Sequence, residues 1–300
     1  MLSEAWYVAT RELRHFYRQR VQVITSLVQP VIWLALFGYS LSGGLPGFNL
    51  SSLGLTGVQG VPTTLTFIIL SLNLEPITSY ILLNLTSMSY VSFLAPGIVA
   101  MTSMFTAMFA GVSIVWDRRF GFLNKLLVSP IPRSSIMLGK MLSATIRAMI
   151  QGLIVVALAL LLGAKTNTGI IGIILVVPFL ALFALGFSGM STAVGIKMAE
   201  HEEFFGVIAL VLLPLFFASG ALIPVAIMPG WLQGVASGNP LTYAVDAVRL
   251  SLAGGTFGQL GGDYAFMGIL GNLLVDAAVL GLFIVIMVSI GVTVFRRALK

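Results

Sequence analysis

The chain has no cysteine, which excludes a disulfide framework and any thiolate metal site. It has only two histidines in 300 residues, His15 and His201, and neither lies in a metal-ligand spacing. Charge is scarce: 9% of residues are Asp, Glu, Lys or Arg, against about 25% in a soluble globular protein. A membrane-embedded enzyme would need His, Asp or Glu clustered on facing helices, and Asp276 is the one acid expected well inside an apolar run. A nucleotide-binding phosphate loop, GxxxxGK[ST] after a strand, is also missing, because Gly139-Lys140 is followed by Met141. We therefore expect no catalytic residue, cofactor or metal in this chain.

What fills the sequence instead is apolar: 58% of residues are hydrophobic, more than one aqueous core can hide. An all-α integral membrane protein follows, because a bilayer core requires runs of about 20 apolar residues. Six stretches qualify, at about 21–41, 93–116, 142–162, 170–196, 204–223 and 267–295. The first 20 residues are too polar for a cleavable signal peptide. They form an amphipathic, interfacial helix candidate instead. Leu2, Trp6, Ala9, Leu13 and Phe16 recur at helical spacing, with Glu4, Arg11, Arg14 and Arg18 on another face. Residues 21–300 make the transmembrane domain.

The net charge of +6 sits in blocks beside apolar runs. That arrangement suits an anionic membrane leaflet rather than nucleic acid. Six spans place Arg11, Arg14, Arg18, Arg20, Arg118, Arg119, Lys125, Arg133, Lys140, Arg147, Lys197, Arg296, Arg297 and Lys300 on one side, leaving Lys165 and Arg249 on the other. The positive-inside rule then puts both termini in the cytoplasm of a multi-pass plasma-membrane protein. Residues 43–92 read as an outer loop. Glu75-Pro76 breaks its apolar part into runs too short to cross. Residues 224–265, broken by Pro224, Pro229 and Pro240, read as an extracytoplasmic re-entrant segment between spans five and six.

The loop at 117–140 carries more than topology requires. Phe120, Leu123, Leu126 and Leu127 surround Asn124 and Lys125, giving a short helix with one apolar face. Pro130 and Pro132 force a turn, and Ser134 or Ser135 can cap the helix that leads through Lys140 into span three. A short helix held under the membrane by two long spans can dock in a groove of a soluble partner. Glu200, Glu202 and Glu203 mark a second, smaller contact or a helix start that favours carboxylates. Within the membrane, Asp276 is either functional or bonded to a neighbouring helix. Arg147 and Gln151 are expected to snorkel and pack. Gly186, Ser188, Gly189, Ser191, Thr192 and Gly195 make a small-residue surface for close helix packing.

Residues Tyr90–Leu142 resemble the permease subunit of type-2 ABC exporters, closest to the daunorubicin-type drug-resistance branch. The likeness is carried by Leu94, Pro96 and Gly97, then Asp117, Arg118, Gly121, Leu126, Leu127, Pro130, Arg133, Gly139 and Lys140. NPLTYAVDAVR, Asn239 to Arg249, is a second matching patch. The resemblance implies two permease subunits, as a homodimer, bound to two cytoplasmic ABC ATPase subunits that hold ATP and magnesium. It assigns ATPase coupling to the 117–140 loop. The cargo it implies is a hydrophobic or amphipathic compound. Polysaccharide, lipid-linked glycan or sodium export by the same architecture is the alternative, and an ion-coupled secondary transporter is a more distant one.

Overall fold

The computed structural model describes residues 2–18, 20–42, 90–128, 132–225, 228–254 and 268–298. Residues 43–89, most of the expected outer loop with Glu75, lie outside the described residues, as does Pro130. The described chain is helical, with no strand. The helices are α1 (Leu2–Arg18), α2 (Arg20–Ser42), α3 (Tyr90–Phe109), α4 (Val112–Arg119), α5 (Phe122–Val128), α6 (Arg133–Leu161), α7 (Gly169–Gly195), α8 (His201–Phe217), α9 (Gly230–Ser237), α10 (Pro240–Ala253) and α11 (Gly268–Ala298).

Among the described residues, four stretches of helix are long and apolar enough to cross a bilayer: Val91–Arg119, Arg133–Leu161, Gly169–Gly195 and Leu270–Phe295. They match the second, third, fourth and sixth expected runs. The first expected run is the 23-residue α2, whose described apolar part is Ser26–Leu36. The fifth is shorter than expected. α8 has 17 residues and ends at Phe217, where a turn through Ser219 and the left-handed Gly220 redirects the chain. Large apolar side chains stand exposed on α11 (Leu270, Leu274, Leu282, Val285) and α8 (Leu210, Leu213, Phe217), a surface suited to lipid. The described part of the 224–265 segment holds two helices, α9 and α10.

The core lies among α3, α6, α7 and α10, with Leu94, Ile98, Met104, Phe183 and Phe187 fully buried. α11 covers α7 and α10 on one side, and α1 lies along α6 on another. The small residues of α7 let the helices approach closely. All six are buried, and a Cβ on Gly195 would stand 2.6 Å from the Gly111 carbonyl oxygen of the neighbouring helix. The same contact explains why span two is not continuous. At Ala110-Gly111 the helix is interrupted, and the Ser191 hydroxyl on α7 stands in for the ladder. It accepts from the Gly111 N–H at 2.9 Å and donates to the Met108 carbonyl.

The α6–α7 loop and the end of α10 are interlocked. Thr168 Oγ1 donates to the Ser251 carbonyl at 2.6 Å, and the Asn167 side chain donates to the Ala253 carbonyl at 3.0 Å. These bonds satisfy carbonyls that a helix end leaves free. α10 itself starts at Asn239, whose side chain accepts from the Leu241 N–H, and stops at the left-handed Gly254.

Close packing at Gly195 gives a direct test. Gly195→Leu should lower the thermal transition of the purified protein by several degrees. Gly281→Ala on α11, where an added Cβ meets no atom within 4 Å, should leave it nearly unchanged.

Candidate functional site

The charged residues singled out in the sequence gather at one end of the bundle, where α1, α4, α5 and the start of α6 meet. Gly139 makes the approach possible. A Cβ there would stand 2.6 Å from the Ala5 carbonyl oxygen, so α1 lies directly on α6. The buried face of α1 is Ala5, Val8, Ala9, Glu12 and Phe16. This differs from the expected apolar stripe: Ala9 and Phe16 belong to it, but Trp6 is exposed and Glu12 takes an inward place. Packing against α6 selects the side with small residues, which leaves Trp6 outward.

Lys140 is the centre of this junction. It is 4% exposed. Its ammonium stands 2.6 Å from Asp117 Oδ2, 3.1 Å from Glu12 Oε1 and 3.1 Å from the Ser113 hydroxyl. Arg11 adds longer contacts of 3.6 Å to Glu12 and 3.9 Å to Asp117, with its guanidinium 3.7 Å above the Phe122 ring. α1, α4 and α6 are thereby joined through one ammonium. Burial alone would raise the Glu12 carboxyl, but the charge and hydrogen bond of Lys140, with help from Arg11, hold it below the usual glutamate value. Nearby, the Ser135 hydroxyl donates to Glu4 at 3.2 Å. Ser134 and Ser135 lie inside the first turn of α6 and do not cap it; Pro132 occupies that position.

The short helix expected at 120–128 is present as α5. The left-handed Gly121, at φ 68°, sets it off from α4. Its residues divide into two groups. Phe120 is 71% exposed and stacked on Trp116, and Lys125 and Val128 are exposed as well. Leu123, by contrast, is turned into the bundle beside Ile114, Ile136, Met137 and Phe295. Asp117 and Lys140 are likewise engaged internally. The Leu126 and Leu127 side chains lie outside the described residues. Arg118 donates to the Ile196 carbonyl at 3.2 Å, closing the end of α7. Arg133 is exposed at the start of α6.

The acidic trio separates in the same way. Glu200 pairs with Arg119 at 3.4 Å across the surface, and Glu203 accepts from the Ala199 N–H at the start of α8. Glu202 is exposed. Glu200 thus joins the two loops that the sequence offered as separate contacts.

Above this junction two adjoining cavities of about 300 and about 400 Å³ share Phe16, Phe109, Ala110, Val112 and Arg147 as walls. Gln151 is buried between the Ser26 hydroxyl, to which it donates at 2.6 Å, and the Thr106 hydroxyl, from which its carbonyl accepts. Arg147 donates to the Ser143 carbonyl and lies over the Phe16 ring. Asp276 is far from these residues in the chain and is buried to 3% exposure, with no bond to its Oδ2 among the described residues.

Glu12, Ser113 and the burial of Arg249 escaped sequence reasoning. Glu12 has a visible signal, since it continues the spacing of Ala5, Val8 and Phe16 on one helical stripe. Arg249 belongs to the 224–265 segment expected at the outer side. It is 2% exposed, donates to the Phe93 and Gly220 carbonyls, and stands 4.3 Å over the Phe93 ring.

The sequence model of the ABC-2 type transporter family matches residues 3–253. A putative transport permease, ycf38, of Pyropia yezoensis is 31% identical over 254 residues, covering 83% of this chain and 74% of that protein. The daunorubicin resistance ABC transporter permease protein DrrB1 of Streptomyces coeruleorubidus is 28% identical over 169 residues, covering 56% and 59%. Nodulation protein J of Rhizobium leguminosarum bv. viciae is 25% identical over 213 residues, covering 70% and 76%.

Removing the buried cation strands two carboxylates. Lys140→Met should destabilise the purified protein by about 3–5 kcal/mol in chemical unfolding. Glu12 gives a pH dependence of known sign. Its contribution is fully present above the unfolded-state glutamate value and is lost as pH falls through the lower folded value. Stability should therefore fall below about pH 4.3, and Glu12→Gln should flatten that limb of the curve.

Proposed function

The chain belongs to the ABC-2 type transporter family, and from that premise we propose that it is the membrane-spanning permease of an ATP-driven exporter. Two copies form the pathway for a hydrophobic or amphipathic compound. Two copies of a separate cytoplasmic ATPase, which bind ATP and magnesium, supply the work. Both termini and the 117–140 loop face the cytoplasm of the plasma membrane, as the distribution of Lys and Arg favours. The re-entrant segment, α9 and α10, sits at the outer side.

The observation that carries this reading is the Lys140 junction. A change in a soluble ATPase reaches the bilayer only through a contact that is stiff on the permease side. α5 is attached through Gly121 to α4, and α4 is held by Asp117 to Lys140 on α6 and, through the same ammonium, to Glu12 on α1. A displacement of α5 is passed to three helices at once. Among the described side chains of this segment, Phe120 and Val128 are exposed apolar groups that a groove on the ATPase would receive. Arg133 and Lys125 add cations beside them. Asp117, Lys140 and Leu123 serve coupling from inside, as the anchors of the foot.

The test is assembly with candidate ABC ATPases in lipid nanodiscs. Phe120→Ser combined with Val128→Asp should cut copurification and ATPase stimulation about tenfold or more, because interface aromatics buried in a pocket are worth roughly 2 kcal/mol or more. The permease alone should keep its thermal transition. Unchanged assembly and ATP turnover in that double variant would rule out α5 as the coupling element.

A further inference from the structure

The two cavities above the Lys140 junction differ in character from end to end. The one nearer α2 and α8 is walled by Pro30, Met101, Phe105, Phe109 and Phe205. The one nearer α1 carries Arg11, Glu12, His15 and Asp117. Arg147 lines both and stands where they meet. Their volumes, about 300 and about 400 Å³, fall within the range of small-molecule sites.

The charges around this space do not balance. Lys140, Arg11 and Arg147 supply three cations against the two carboxylates Glu12 and Asp117, leaving one positive charge before His15 is counted. The carboxylates are also committed, since Lys140 holds both at 2.6 and 3.1 Å. Arg147 acts on Glu12 through its charge without closing to an ion pair. Its Nε donates to the Ser143 carbonyl at 3.3 Å and its plane lies over Phe16. Among the described residues its two Nη groups have no hydrogen bond, and no carboxylate lies within the 4 Å of an ion pair. A guanidinium whose Nη groups have no hydrogen bond among the described residues faces a cavity with an aromatic wall on one side and the mutually paired charges of Arg11, Lys140, Glu12 and Asp117 on the other, and such a fork can take an anion.

Resting on the export reading above, we propose that this double cavity binds a membrane amphiphile with a phosphate head. The head is gripped by the Nη groups of Arg147, with Arg11 and His15 on its far side. The tail lies against Phe105, Phe109 and Phe205. The positive-inside orientation puts the Arg133 end of α6 on the cytoplasmic side, so Arg147 is within reach of an amphiphile entering from the inner leaflet. The Ser26, Thr106 and Gln151 cluster lines the path between head and tail and fits the ester or glycerol part of such a molecule.

Single-chain oleoyl lysophosphatidate is a suitable probe, with monooleoylglycerol as the same tail without the phosphate. Binding is titrated to the purified full chain in dodecyl maltoside micelles, which carry no phosphate. Lysophosphatidate should bind, and Arg147→Gln should weaken it about tenfold or more, the range for loss of a charged hydrogen bond. Arg147→Lys, which keeps the charge, should retain most of the affinity. Monooleoylglycerol should bind weakly and alike to wild type and Arg147→Gln, and equimolar inorganic phosphate should not compete. Equal binding of the two lipids to the wild-type chain overturns the proposal, with no reliance on any variant folding. So does displacement by phosphate alone, or full affinity in a folded Arg147→Gln. ATP-driven export measured on the assembled complex is a separate readout. Its absence, with lysophosphatidate binding intact, defeats the export reading and leaves the site standing.

Discussion

Burying an ammonium in an apolar bundle costs several kcal/mol unless its partners are held in place beforehand. Lys140 meets that condition with two carboxylates and a hydroxyl, each from a different helix or a different turn. Much else at this end of the molecule follows from it. α1 must come close enough for Glu12 to reach, which requires Gly139. α4 must present Asp117 and Ser113 together, which they do one turn apart. Once these are in place the three helices cannot slide separately without exposing an unpaired charge to a low-dielectric interior. The junction is therefore a source of rigidity rather than a large net source of stability.

A second constraint, purely steric, holds the middle of the bundle. The small residues of α7 bring it so near the second span that the Gly111 carbonyl oxygen occupies the space of a side chain on Gly195. With lipid outside and protein inside equally apolar, close van der Waals contact and polar bonds between helices replace the hydrophobic effect as the driving force. Ser191 illustrates the polar part, since its hydroxyl serves both a donor and an acceptor at the break between α3 and α4.

These two constraints also explain what could be read from the sequence. Four of the six apolar runs, the short helix after Gly121 and the close packing of α7 depend on local composition and spacing, so they were legible. Ser134 and Ser135 illustrate the limit. Both residues suit a helix cap, but Pro132 takes the position and Ser135 instead reaches Glu4 across 131 positions of sequence. Leu123 shows the same limit. Its spacing with Leu126 and Leu127 gives one apolar face, but spacing does not say whether that face turns outward or onto Ile114 and Phe295. Arg249 misled for a related reason. Charge counting gives an Arg only a side of the membrane, whereas two backbone carbonyls and a ring make a buried place for this one.

The placement of the break matters for how the parts work together. Phe109 ends α3, Val112 begins α4, and both line each of the two cavities. α4 also carries Ser113 and Asp117 to Lys140 and continues through Gly121 into α5. A movement of α5 is thus applied below the break, to a segment clamped by Lys140, while the cavity walls lie at the break itself. A continuous helix would carry such a movement along its length as a rigid tilt. An interrupted one, with Ser191 in place of a ladder bond, bends at the interruption, so the displacement is delivered where Phe109 and Val112 face the cavities. On the coupling proposed above, the contacts from Phe120 through Asp117 and Lys140 to the break at Gly111 are the route by which ATP-driven motion would reach the space that Arg147 overlooks.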